Sequence, residues 1–268
     1  MKYVVGTRAA HRYGTRMRQF IPAFIAIVLP AMLFGQQNDP PSTPPDLPPA
    51  AVLRQSIIAH LPQKAVALQA RLTSKAGKGF TLNVKIRLDA AGEKVGASYQ
   101  VDDAFGNLIG KLDLARDLGA APRYTFHGPA DAKASAPDLF RTIGPSDIYW
   151  LDLALGFIWW TNGRTIGRQE MRSRDCYVVD LYAPDPATAL YSTVRAWVDE
   201  KYGMLVQAEA YDRAGDLARR VVIKSIKKVG DDWMVKDIEL RSMPGDRKTF
   251  LRVDKVEVEG KVLPEDPE

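Results

Sequence analysis

The chain has 268 residues, of which 46% are hydrophobic and 26% charged. These are the proportions of ordinary globular proteins, and they exclude a disordered, collagen-like or disulfide-rich chain and a multi-span membrane protein. The formal charge of +5 comes from 37 basic against 32 acidic residues, but Lys2, Arg8, Arg12, Arg16 and Arg18 all lie in residues 1–35, which hold no acid. Without them the two counts are equal, so the basic excess belongs to the N-terminus and nucleic-acid binding is not expected.

Residues 1–35 read as a secretory signal. A basic stretch ends at Arg18, an apolar run extends from Phe20 to Phe34, and the small residue Gly35 precedes polar Gln36-Gln37-Asn38-Asp39. That run falls short of the roughly 20 residues a spanning helix needs, and Pro22 and Pro30 weaken a helix further. Cleavage is expected after Gly35, which sets a rather large Leu33 at −3. Met17 is an alternative start, and an uncleaved anchor is the alternative reading of the whole segment. No cysteine stands at the cut site, so the chain itself is not expected to be lipid-modified.

Residues 36–50 carry Pro40, Pro41, Pro44, Pro45, Pro48 and Pro49, the composition of a stiff linker. From Ala50 to His60, Val52, Leu53, Ile57 and Ile58 recur at amphipathic helical spacing, closed by Pro62. The period then changes to two. Val66, Leu68, Ala70 and Leu72 alternate, as do Phe80, Leu82, Val84, Ile86 and Leu88. Further strands fit at 95–102, 107–115 and 122–128, with glycine-containing turns between them.

The centre, Pro137 to Trp160, is different. Gly144-Pro145 breaks it, Ser146 is positioned to cap a following helix, and Trp150, Leu153, Phe157 and Trp160 form a helical stripe. Three of the five tryptophans stand here. Asp175 to Asp180 alternates like a strand and holds the lone Cys176, read as a small buried residue. Ser192–Asp199, Met204–Tyr211, Leu217–Lys228, Trp233–Arg241 and Lys248–Val258 read as hairpin-connected strands.

Two helical segments stand against about twelve strands, so the fold class is mainly β (α+β). A sheet of that size must bury an apolar face or close on itself. The helices are too few to cover both faces. The economical arrangement is a strongly curved antiparallel sheet forming an incomplete β-barrel, with helices covering the open side and an apolar space beneath. Residues 51–262 are expected to form this single domain, and 263–268 a tail.

Catalytic chemistry is hard to find. Only His60 and His127 remain after the signal, neither at ligand spacing to another His or Cys. No nucleophile elbow or phosphate-binding glycine loop occurs. Asp102-Asp103 and Asp231-Asp232 sit at turn signals, where Asp is favoured for local backbone bonding. Arg219-Arg220 and Lys227-Lys228 split between opposite faces of their strand and are read as solvated. No catalytic residue, metal or cofactor is expected.

Several segments together carry a family resemblance. They are Ser146-Asp-Ile-x-x-x-Asp-Leu-x-Leu-x-Phe-x-Trp-Trp160 and Arg174-Asp-Cys-Tyr-Val-Val-Asp-Leu181, then Tyr191-Ser-x-Val-Arg-x-Trp-Val-Asp199 and Gly203-Met-Leu-x-Gln-Ala-Glu-Ala-Tyr-Asp212. Ser225-Ile-Lys-Lys-Val229 and Trp233-Met-Val-Lys-Asp-Ile-Glu239 follow. Their order over residues 140–260 resembles the outer-membrane lipoprotein-sorting (LolA-like) proteins of the bacterial periplasm. The resemblance implies an open half-barrel with helices as a lid, acyl chains of lipoproteins or other lipids in its cavity, and inner- and outer-membrane transfer machinery as partners. It transfers no specific lid-closing residue.

The expected cavity lining is Trp150, Phe157 and Trp160, with inward strand residues Val194, Ala196, Val206, Ala208, Ile223, Ile238 and Leu240. Register decides these assignments, because a one-residue slip swaps the face of a strand. At about 0.8 kcal/mol per CH2, a long acyl chain brings about 10 kcal/mol of gross driving force. The competing functions are a lipid-sensing or partner-docking regulatory module and an enzyme acting on a lipid through His127 and scattered Asp and Ser.

Overall fold

Among the described residues, thirteen strands and two short helices account for most of the structure. The helices are α1 (Ala50–Ala59) and the single turn α2 (Trp150–Leu153), which is followed by a 3-10 turn, Gly156–Trp159. The first strands are β1 (Val66–Ser74), β2 (Phe80–Ala91), β3 (Lys94–Asp102), β4 (Leu108–Asp117) and β5 (Arg123–His127). Then come β6 (Asn162–Glu170), β7 (Asp175–Tyr182), β8 (Thr193–Asp199) and β9 (Leu205–Tyr211). Last are β10 (Leu217–Val229), β11 (Asp232–Ser242), β12 (Arg247–Val258) and β13 (Lys261–Val262). The computed structural model describes residues 44, 46–62, 64–74, 79–91, 94–117, 120–129, 138–187, 189–229, 232–259 and 261–262. The expected signal, most of the proline-rich linker, Asp231 and the tail lie outside the described residues.

The strands form one antiparallel sheet in the order β5-β4-β3-β2-β1-β12-β11-β10-β9-β8-β7-β6, with β13 beside β12. Every neighbour but one is a sequence neighbour. The exception joins β1 to β12, in register from Val66↔Val258 to Ser74↔Thr249. Two meanders are thereby welded side by side, and β5 and β6 become opposite edges of the sheet. The sheet does not close, because those edges do not pair. Register shifts near Gln69, Val101, Thr165, Trp197 and Ile223 are bulges of the kind that bend strands and raise their twist.

The apolar alternation lines one face of this curved sheet. Leu72, Val84, Val101, Leu112, Val179, Val194 and Ala196 are essentially without solvent exposure. Helix α1 covers β6 and β7 with Leu53, Ile57 and Ile58, while Val52 stays exposed. Thr165 Oγ donates to the Pro48 carbonyl, tying the chain just before α1 to β6. β6 is not anticipated in the sequence, because Asn-Gly-Arg-Thr-Ile-Gly-Arg-Gln-Glu carries almost no apolar alternation. As an edge strand it has little sheet to pack against.

The connection from β5 to β6 must pass from one edge of the sheet to the other. It does so through the interior, and residues 139–160 are this crossing segment. The expected long helix is not there. α2 makes one turn, Leu155 takes a left-handed conformation (φ 47°), and the 3-10 turn follows. Ser146 does not cap a helix. Its hydroxyl donates to the Ile143 carbonyl and accepts from the Ile148 amide, shaping a turn. The cap of α2 comes from Asp152, whose Oδ2 accepts from the Tyr149 amide at 2.9 Å. Trp150 reaches the sheet because Gly110 leaves room for it. A Cβ there would lie 2.7 Å from the Phe126 ring and 3.1 Å from that of Trp150. The two rings meet edge to face at 5.3 Å.

Candidate functional site: an apolar cavity under the crossing segment

A cavity of about 150 Å3 lies between the sheet and the crossing segment. Its sheet wall comes from β1 (Leu68), β2 (Ile86, Leu88), β3 (Val95, Ala97, Tyr99), β4 (Leu114), β11 (Met234, Val235, Lys236, Ile238) and β12 (Leu251, Val253). Its other wall is Leu153, Ala154, Leu155, Ile158 and Trp159, and His60-Leu61-Pro62 stands at its rim. These strands are neighbours only because β1 pairs with β12.

Of the expected lining, Ile238 borders this cavity. Trp150, Phe157, Trp160, Val194, Ala196, Ala208 and Leu240 belong to the same continuous apolar interior but lie outside the cavity wall. Ile223 reaches that interior too, and also edges a polar hollow of about 270 Å3 beside Arg172, Arg174 and Asp199. Val206 stands elsewhere. Trp197 pairs with Gln207 and Val198 with Leu205, which leaves Val206 as the extra residue of a bulge. The bulge sends Leu205 into the main interior and Val206 into a separate cluster with Cys176, Val178 and Trp197.

The stripe shifts for a related reason. Helical spacing selects Trp160, but the left-handed turn at Leu155 and the 3-10 winding after it bring Trp159 to the cavity instead. The first meander supplies most of the sheet wall. Its alternation is visible in the sequence, but nothing local marks it as the half that faces a void.

One end of the crossing segment is anchored by a buried ionic network. Arg219 Nε is 3.1 Å from Asp152 Oδ2, and both side chains are almost fully buried. Tyr191 donates its hydroxyl to Asp152 Oδ1 at 2.9 Å. Arg219 also donates to the Asp147 carbonyl at 2.7 Å, to Ser242 Oγ and to the Tyr191 hydroxyl, and it stacks over Tyr149. Burial pushes the Asp152 carboxyl above the ordinary carboxylate range, with the Arg219 charge pulling it back. Burial works against the Arg219 charge, and Asp152 and Tyr191 outweigh it to hold the guanidinium above its usual value. The reading of Arg219-Arg220 as a solvated pair is therefore corrected. Arg220 does face outward, to Glu209 at 2.8 Å, but Arg219 is the buried hub.

The other candidate groups have ordinary structural partners. His60 Nδ1 lies 2.8 Å from the Ser56 carbonyl, and His127 Nε2 lies 3.2 Å from Asp113. Asp103 Oδ1 accepts from the amides of Phe105 and Asn107, so this carboxylate builds its turn. Cys176 is buried, which pushes its thiol up to about 11, with the nearby Asp199 charge adding to the rise. Among the described residues no three metal-ligating side chains gather, and no helix is long and apolar enough to cross a membrane.

The class so defined is an open antiparallel half-barrel with a segment threaded through it above an apolar cavity. Its particular form is the LolA-like fold. A putative outer membrane lipoprotein-sorting protein domain from Vibrio parahaemolyticus superposes with a TM-score of 0.66 at 14% identity, covering 78% of this chain and 92% of that one. A LolA superfamily protein from Nitrosomonas europaea gives 0.61 at 11% identity, covering 80% and 94%. A DUF1329 family protein from Desulfovibrio piger gives 0.66 at 16%, covering 78% and 91%. A family profile described only as uncharacterized-protein-like matches residues 144–265. No curated protein sequence matches the chain.

Proposed function

We propose that the protein is a periplasmic carrier that takes up the acyl chain of a lipoprotein or a free lipid and releases it toward the outer membrane. It performs no chemistry on its cargo. The observation that carries this reading is the apolar cavity beneath the crossing segment, a void where close packing is the rule. The LolA-like fold and the secretory character of residues 1–35 agree with it.

An engineered apolar cavity of about 150 Å3 holds a benzene-sized body. A long acyl chain therefore enters only as residues 153–159 move off the sheet and enlarge the space. The Asp152–Arg219 network keeps one end of that segment in place, so opening occurs beyond it, around Leu155 and Gly156. Release is favoured by the same device. Closure restores the contacts of Leu153, Ile158 and Trp159 with the sheet and competes with the bound chain.

The test is to express the full chain in a Gram-negative host, purify it without detergent, extract it with organic solvent and identify the extract by mass spectrometry. Stoichiometric lipid in the extract supports the carrier. An empty, folded protein that also refuses added lipid overturns it and favours partner docking. The intact mass of the same sample reports cleavage after Gly35.

A further inference from the structure

Near the cavity, Arg54 and Trp159 hold buried donors that have no acceptor among the described residues, and Arg116 stands beside them. Arg116 lies on β4 two residues beyond Leu114, so it continues the same inward row past the end of the apolar wall. It is buried, its guanidinium lies 4.9 Å from the ring centroid of Trp159, and its Nε donates to the Ala120 carbonyl. Trp159 borders the cavity, and its buried indole Nε1 has no hydrogen-bond partner among the described residues. Arg54 comes from α1, which packs on the 3-10 turn carrying Trp159 and runs on into the rim at His60-Leu61-Pro62. Its Nε and Nη1 are likewise buried without a partner.

Burial lowers the Arg54 guanidinium below its ordinary value, and the neighbouring Arg116 charge lowers it further. Among the described residues neither forms an ion pair with a carboxylate. Asp152 and Arg219, by contrast, are paired. Two like charges without a carboxylate partner, beside an indole N–H that has no acceptor, are costly unless an anion joins them. Guanidinium forks match carboxylate and phosphate oxygens, so the missing partner is an oxyanion.

We infer that Arg54, Arg116 and the Trp159 indole N–H form a headgroup subsite at the rim of the cavity, and that the cargo is an acyl chain ending in a carboxylate or phosphate. This rests on the carrier reading and narrows it. Ester- or amide-linked chains of a lipid-modified protein bring no anion to that position, whereas a fatty acid or an acidic phospholipid does.

The experiment is calorimetric titration of the full chain, as processed by its host and delipidated, with decanoate and decanol, which share a chain and differ in charge. Decanoate should bind about tenfold more tightly, the size of one charged hydrogen-bond set. Arg54→Gln, Arg116→Gln and Trp159→Phe should each reduce that preference, and the two arginine variants should leave decanol affinity unchanged. The three variants act independently, so one that fails to fold does not remove the test.

Dihexanoyl phosphatidylglycerol distinguishes the two sources: binding tighter than decanoate assigns the anion to phosphate, weaker binding to a carboxylate. Inorganic phosphate alone should bind weakly or not at all, because the chain supplies most of the affinity. Equal binding of decanoate and decanol, or a preference untouched by all three variants, overturns the headgroup subsite and leaves the carrier standing. Binding of neither ligand overturns the carrier reading itself.

Discussion

Asp152 and Arg219 meet 3.1 Å apart in the interior, one on the crossing segment and the other on β10. They are 67 residues apart in sequence. Each oxygen of Asp152 is engaged, Oδ1 by Tyr191 and Oδ2 by Arg219 and the Tyr149 amide. A buried pair contributes little over an apolar replacement of similar volume, but breaking it leaves an uncompensated charge. Its value here is positional, because it fixes where the crossing segment leaves the sheet.

Arg219→Met should therefore destabilise the protein by about 3–5 kcal/mol, the cost of stranding a buried charge. Arg219→Met combined with Asp152→Asn should recover part of that loss. Urea denaturation midpoints of the two variants check the expectation. Equal losses in single and double variants would show that packing, and not charge pairing, sets the stability.

Filling the cavity should separate binding from stability. Ala97 faces the void from β3. Ala97→Phe should abolish uptake of added fatty acid without lowering the melting temperature, because the ring occupies space already present. Val206→Asp should show the reverse. It sits in the separate cluster with Cys176 and Trp197, so a charge there costs stability while uptake by the folded protein persists. Melting curves and lipid binding on both variants decide it.

Asp199 should give an acid-dependent contribution. Burial raises its carboxyl, but hydrogen bonds from Arg174 and the amides of Tyr202 and Lys201, with the Arg174 charge, hold it below its ordinary 3.8 overall. A depressed folded value means stability that is present above pH 3.8 and lost as pH falls through the lower folded value. The gap in melting temperature between wild type and Asp199→Asn should therefore be widest near pH 6 and close in strong acid. A gap that widens as pH falls contradicts the assignment.

Cys176 should resist alkylation while the protein is folded. With its thiol pushed up to about 11, little thiolate exists at pH 8. Iodoacetamide labelling should run about a hundredfold slower than in urea, from thiolate fraction alone. Mass spectrometry of timed samples measures both rates.

Gly110→Ala probes the contact between the crossing segment and the sheet. Its Cβ would overlap the Phe126 ring and crowd Trp150. Overpacking of this kind costs about 1–3 kcal/mol, read as a lower denaturation midpoint. Phe126→Leu in the same chain should relieve most of it.

Much of the secondary structure was legible in the sequence. Strands β8 to β12 appear within about two residues of where their alternation and turns place them, β10 as Leu217–Val229 and β12 as Arg247–Val258 among them. Period-two burial against one face leaves a record in every strand that has an apolar partner surface. β6 lies under α1 but buries only Thr165 there, and left none. The incomplete barrel also followed from the sequence, since two short helical segments cannot cover both faces of so large a sheet.

The site was less legible, because its residues come together through three non-local events. Pairing of β1 with β12 sets Leu68 opposite Val256 and Leu72 opposite Leu251, and so brings Leu68, Leu251 and Val253 into one cavity wall. A bulge at Val206 and a left-handed residue at Leu155 each shift which side chain faces inward, and neither carries an obligatory residue type. By itself the sequence determined most of the strands, the apolar face and the open-barrel class, all of which depend on local periodicity and on area to be buried. Tertiary structure alone decided where the void lies, why Trp159 and not Trp160 borders it, and which arginine is buried with a partner and which without. Those outcomes depend on loop closure across the whole sheet and on the balance of desolvation against pairing, which residue order does not display.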